Sequence, residues 1–322
     1  MQYGIFKPFL EKCGVVILDG AMATELEKRG ANLKHELWSA KLLVDNPALI
    51  KEVHLNYLKA GADIITTSSY QASFTGFARQ GYNYEMSREL LTLSSSLAIQ
   101  AREESMHMNI IKEAKPLIAA SIGPYGASLA DGSEYRGNYG LTVEFLMSFH
   151  RERMGVLLAS GVDLLACETI PCKEEAIALI LLLREFPGAK AWISFSCKND
   201  NETCDGSDFA TCAEFANDSD SVVAVGINCT APQFVSHLIQ KGIPNCRKPI
   251  FVYPNKGENW DPVNKCWLPG TGQTNFVESA MSWVAAGATG IGGCCGTSPE
   301  DIRNLKKSVC DMFTSQASEQ FP

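Results

Sequence analysis

Three of the twelve cysteines stand where they could act together. Cys294 and Cys295 are adjacent in IGGCC (291–295), and Cys229 closes the stretch VVAVGINCT (222–230). Adjacent cysteines are poorly placed to bond each other, because a disulfide needs Cα atoms about 4.4–6.8 Å apart and neighbours sit at about 3.8 Å. Two thiols side by side, with a third brought to them by the fold, form a soft donor set for which zinc is the expected occupant. Three protein ligands leave a fourth position open, as in catalytic rather than structural zinc. Each thiol stands just before a helical stretch: Thr230-Ala-Pro-Gln and Ser298-Pro-Glu-Asp read as N-caps, and helix N-termini favour thiolate. Gly292 and Gly293 are expected to let the backbone bend so that neighbouring sulfurs face one point.

What must position these residues is a repeated unit. Short β-branched runs alternate with amphipathic stretches from end to end: VVILDG (15–20), DIITTSSY (63–70), PLIAASIGP (116–124), VDLLACETI (162–170), AWISFSC (191–197), VVAVGINCT (222–230), PIFVYPNKG (249–257) and TGIGGCCGT (289–297). Near-continuous apolar strands indicate a parallel sheet covered on both faces. Eight such βα units predict an α/β protein of the (β/α)8 barrel type, a TIM barrel, as one domain over residues 1–310, with 311–322 as a loose tail. No GxGxxG follows the first strand, which argues against an open doubly wound sheet. Gly61, Gly161 and Gly287, each just ahead of a strand, read as helix C-caps. The stretches 125–140, 198–221 and 256–274 read as long loops.

Such barrels work at the C-terminal ends of their strands. Those ends carry Asp19-Gly20, Tyr70-Gln71, Tyr125, Glu168 and Asn228-Cys229, then Cys294-Cys295 at the last. The sixth and eighth strands alternate around the ring, so Cys229 and the cysteine pair are expected at one mouth. Bland alternatives exist for each: a core thiol and a loop thiol, an Asp-Gly turn, a helix-capping Glu168. Three cysteines with acids at one mouth outweigh them together.

A net charge of −8 over 322 residues argues against nucleic acid or an anionic membrane as partner. The longest strongly apolar run, 176–183, is too short to span a bilayer, and the first residues lack a signal-peptide pattern, so a cytoplasmic location is expected. There cysteines are expected to be mostly buried thiols, with metal or catalytic sites as the minority.

The stretches ILDGAMATEL (17–26), TTSSYQASFTGF (66–77), CETIPCKEEA (167–176), VGINCT (225–230), YPNKGE (253–258) and IGGCCGTSPEDI (291–302) resemble the homocysteine S-methyltransferase family over residues 10–310. The resemblance implies Zn2+ on Cys229, Cys294 and Cys295, and homocysteine as methyl acceptor. It puts Asp19 and Gly20 at the amino-acid end of homocysteine, Glu168 at its ammonium, and Asn228 among the substrate contacts. S-Y-Q-A at 69–72 is similar to the branch using S-methylmethionine, with S-adenosylmethionine as a second donor. Tyr70, Gln71, Tyr125 and Trp260 are the candidates to hold the donor. The alternatives are a betaine-using enzyme and a non-catalytic zinc or thiol redox sensor.

Overall fold

The computed structural model describes residues 4–33, 35–110, 114–257 and 275–315 in full, and the backbone alone at 259–261, 266–268 and 316–320. The strands are β1 (Val16–Ile17), β2 (Ile64–Thr66), β3 (Leu117–Ile122), β4 (Leu164–Ile170), β5 (Ala191–Phe195), β6 (Val222–Asn228), β7 (Ile250–Tyr253), β8 (Asn259–Asp261), β9 (Cys266–Leu268) and β10 (Gly290–Ile291). Eight of them form one parallel sheet in the order β1-β10-β7-β6-β5-β4-β3-β2. A parallel bridge from Leu18 to Ile64 joins its two ends, with Asp19 N–H donating to the Ile64 carbonyl (3.0 Å). The expected (β/α)8 barrel is what the chain forms. β8 and β9 make an antiparallel hairpin in the loop after β7.

Side chains alternate along a strand, and here the alternation separates two cores. Val16, Leu18, Ile64, Ala119, Leu164, Ala166, Trp192, Ala224 and Phe251 pack together in the lumen, closed beneath by Phe6 and Phe9. Their neighbours Ile17, Ile65, Ala120, Leu165, Ile193, Val225 and Val252 join the larger cluster between sheet and helices. Gly61, Gly161 and Gly287 all have left-handed φ (100°, 85° and 113°), as their place after a helix requires. At the N-terminal side of the barrel two aspartates do the same work on different strands. Asp63 accepts from Ile17 N–H (2.9 Å) and pairs with Lys306, while Asp163 accepts from Ile118 N–H (2.7 Å) and pairs with Arg102.

The two ends of the chain meet. The last helix runs from Pro299 to Gln320, so the backbone stays helical where a tail from 311 was expected. Phe313 on that helix closes over Gly14, where an added Cβ would come within 2.7 Å of its ring. This approach brings Cys13, the last residue of the helix Lys7–Cys13, to Cys310, and the two form a disulfide with Cα atoms 4.6 Å apart. A sequence separation of 297 residues gave no sign of the pairing. Among the described residues no helix is long and apolar enough to cross a membrane.

Candidate metal and substrate site

Continuing the inward alternation toward the C-terminal ends of the strands changes its chemistry. After apolar Ile64, Ala119, Ala166 and Phe251, the next lumen positions are Thr66, Ser121, Glu168 and Tyr253. The lumen is thus apolar below and polar at its mouth, and the cysteines stand at that polar end.

The Sγ atoms of Cys229, Cys294 and Cys295 all lie within 4.8 Å of one another, and each residue is partly buried. Cys229 and Cys294 are in direct sulfur contact, with Cα atoms 5.7 Å apart. Cys229 takes a left-handed backbone (φ 46°) at the end of β6. The expected N-cap at Thr230 does not form. Its hydroxyl instead accepts from Cys197 N–H (3.0 Å) and donates to the Asn228 carbonyl (2.9 Å), and Ala231 takes the cap position without a side-chain bond. A nearer amide won the hydroxyl, and the result fixes Cys229 from both sides. Ser298 does cap, through a reciprocal pair with Asp301: Ser298 N–H donates to Asp301 (2.9 Å) and Asp301 N–H to Ser298 Oγ (3.3 Å).

The glycines before the cysteine pair serve a different purpose from the one expected. Neither Gly292 nor Gly293 has positive φ. What excludes a side chain is close approach: an added Cβ would lie 2.5 Å from Leu18 at Gly292 and 2.4 Å from Thr297 at Gly293. That closeness lets Gly293 N–H donate to the Asp19 carbonyl (3.0 Å) and Thr297 Oγ1 to the Cys294 carbonyl (2.6 Å). Gly20 is pressed in the same way against Thr297 and Tyr57. The ends of β1 and β10 are thereby joined directly behind the sulfurs.

Two carboxyls face this end of the lumen. Asp19 is 6 % exposed and accepts from Thr66 N–H (2.7 Å) and from the Thr66 hydroxyl (3.1 Å). Burial, and secondarily the charge of Glu168, push its pKa up to about 8. Glu168 is 9 % exposed and accepts from the Ser121 and Tyr253 hydroxyls. Burial carries its pKa up to about 7 against those bonds. Among the described residues neither carboxyl has a cationic partner. Two acids raised by burial and left without counter-charge are suited to a cationic ligand. Asn228 is placed otherwise: its amide oxygen accepts from Thr169 N–H and its nitrogen donates to Thr169 Oγ1, both at 2.8 Å, so it braces β6 to β4.

The sequence model of the homocysteine S-methyltransferase family matches residues 16–309. The homocysteine S-methyltransferase YbgG of Bacillus subtilis is 50% identical over 298 residues, covering 92% of this chain and 95% of that protein. The chain belongs to the homocysteine S-methyltransferase family. Among solved structures, the homocysteine methyltransferase MmuM of Escherichia coli is similar in both its oxidized form (TM-score 0.86) and its metallated form (TM-score 0.85). Each is 44% identical and covers 94% of this chain and 99% of that one.

For this family member the residues expected to hold the donor divide. Tyr70 lies at the mouth: its hydroxyl accepts from Thr169, and its ring meets Trp38 edge-on at 6.0 Å. Burial, then Tyr135 and Glu134, raise its pKa. Gln71 donates to the Ala127 carbonyl (3.2 Å) and leaves its buried Oε1 without a partner. Tyr125 instead sits in an aromatic cluster with Tyr139, Phe145 and Phe149, at centroid distances of 5.1–5.8 Å, which packs its loop on the helix Val143–Ala159. The Trp260 side chain lies outside the described residues. Sequence reasoning missed Glu134 and Tyr135, on the 3-10 turn Ser133–Tyr135. Tyr135 is 46 % exposed as a residue, and partial burial, then the charges of Cys295, Glu134 and Cys204, raise the pKa of its hydroxyl. No motif marked these two; only the length of the loop did.

Proposed function

We propose that the protein transfers a methyl group from S-methylmethionine, with S-adenosylmethionine as a second donor, to the thiol of homocysteine at a zinc ion held by Cys229, Cys294 and Cys295. The observation that carries this reading is three sulfurs within 4.8 Å of one another, beside two buried carboxyls with no cation. Three thiolates suit zinc and leave one coordination position. Zinc held there would take the substrate thiol in that position and keep it deprotonated. Glu168, assisted by Asp19, holds the substrate's ammonium, and so aims its sulfur at the cysteines. Gly20 and Asn228 act through backbone placement rather than by side-chain contact. Tyr70 and Gln71 form the wall that the donor meets. Attack of a thiolate on a sulfonium removes both charges in the transition state, so a site kept dry by the 125–140 loop favours it.

The test is Cys294→Ala. Metal analysis and methionine formation from homocysteine should both fall to background while the circular dichroism of the barrel is retained; full metal with full activity in the variant would end the proposal. With the unaltered enzyme, kcat/KM should be higher for S-methylmethionine than for S-adenosylmethionine, and betaine should give no methionine. Clear turnover of betaine refutes the donor assignment. The sulfur contact between Cys229 and Cys294 favours a second reading, a thiol redox switch without catalysis. That reading leaves Asp19 and Glu168 without a task.

A further inference from the structure

Two amino-acid substrates bring two ammonium groups to one mouth, and Asp19 with Glu168 accounts for one of them. A third carboxyl is present there. Glu134 stands on the turn Ser133–Tyr135, above the ends of β4 and β5 rather than inside the lumen. Its loop is clamped in place: the Ser196 hydroxyl reaches the Glu134 carbonyl (3.5 Å), and an added Cβ at Gly126 would come within 2.5 Å of the Glu134 nitrogen. The side chain is less well satisfied than the backbone. Its Oε2 is buried and has no hydrogen-bond partner among the described residues, and the carboxyl is supported by its own N–H. Arg136, whose charge acts on Glu134, is engaged with Ser133 (2.8 Å) and Asp131 (3.5 Å). A buried acceptor left open costs about 1–3 kcal/mol, so it marks a place where a donor group is missing.

The surroundings say which donor group. The Ser196 hydroxyl that reaches the Glu134 carbonyl also reaches the Thr169 carbonyl (3.4 Å) at the end of β4, and Thr169 in turn donates to the Tyr70 hydroxyl, which Glu134 is near enough to push up in pKa. Glu134 therefore stands at the mouth of the barrel, on the side of Thr169 and Tyr70. A sulfonium has no N–H to offer it. Moreover, a carboxylate on the sulfonium would hold the charge that must vanish on methyl transfer, stabilising the ground state over the transition state. An ammonium keeps its charge throughout and donates three hydrogen bonds.

We propose that Glu134 receives the α-ammonium of the methyl donor, so that the enzyme selects sulfonium donors of amino-acid type. This rests on the methyl-transfer reading above. The experiment is steady-state kinetics of Glu134→Gln and Glu134→Asp with S-methylmethionine and homocysteine as varied substrates. Glu134→Gln should raise the KM for S-methylmethionine ten- to a hundred-fold, with kcat, the KM for homocysteine and metal content within twofold of the unaltered enzyme. Glu134→Asp should recover part of the donor affinity. Dimethylsulfoniopropionate, a sulfonium without an amine, should inhibit both proteins with the same constant. An unchanged donor KM in Glu134→Gln overturns the assignment, as does a parallel loss of homocysteine affinity or metal, which marks a structural role. If the unaltered enzyme moves no methyl from S-methylmethionine to homocysteine, the functional reading itself falls, a result distinct from either of these.

Discussion

Replacing Glu168 by Gln should weaken catalysis and strengthen the fold, and the second effect depends on pH. The pKa of Glu168 is raised by burial from an ordinary 4.5 to about 7. Below pH 4.5 both the folded and unfolded chains carry a protonated Glu168, and there is no penalty. As pH rises from 4.5 to 7 the unfolded chain ionises first, and stability is lost until the folded group also ionises. At roughly 1.36 kcal/mol per unit the full penalty above pH 7 is about 3 kcal/mol. Glutamine mimics the protonated acid, with one acceptor for Ser121 or Tyr253 and no charge to desolvate. For a chain of 322 residues, with an unfolding entropy of about 2.1 cal/mol/K per residue, that difference is roughly 4 °C in Tm. Melts of the metal-free, reduced proteins should therefore give Glu168→Gln a Tm about 4 °C higher at pH 8 and an equal one at pH 4.5. The same variant should lose ten- to a hundred-fold in kcat/KM for homocysteine, from a missing charge-assisted bond of about 1.5–3 kcal/mol, with metal content unchanged. A variant that is less stable at pH 8, or that binds homocysteine normally, refutes the account of Glu168 as an uncompensated charge awaiting an ammonium.

If the three cysteines hold the proposed metal, Gly293→Ala should lose most of it although no cysteine is altered, because the new methyl meets Thr297 at 2.4 Å and displaces Cys294; metal analysis of the purified variant checks this, and normal metal content refutes it. Cys310→Ser should lower stability to urea by about 2–5 kcal/mol, the range for a disulfide closing a long loop. A reducing agent should then weaken the unaltered protein and leave the variant unchanged in the same titration.

The barrel was legible because each strand repeats one physical pattern, an apolar run too long for a one-sided sheet followed by a helix with glycine at its end. The sulfur cluster was legible for the same reason: once Cys229 and Cys294-Cys295 stand at strand ends, ring closure brings them together. What escaped depended on which group wins a competition in space. Thr230 has a capping residue's chemistry, but the Cys197 amide lies closer to its hydroxyl. Gly292 and Gly293 look like bends and are contact surfaces. Glu134 and Tyr135 sit on a turn, where no period of two or 3.6 shows which way a side chain faces. Cys13 and Cys310 pair across nearly the whole chain, and the polar end of the last helix hides its continuation.

The joint between Asp19 and Gly293 sets an order of events during synthesis. The first strand leaves the ribosome early, with one edge waiting for a neighbour that is translated last. Cys229 emerges before the two cysteines it must meet, so a nascent chain offers zinc a single thiol of this trio and no cage. Only when β10 slides in beside β1 do the carbonyl of Asp19, the amide of Gly293 and the sulfurs behind them come into register. A metal held by the three cysteines, as proposed above, would then be captured only after both edges of the sheet have found each other. A chain stalled before that strand exposes the Leu18 edge and holds no metal.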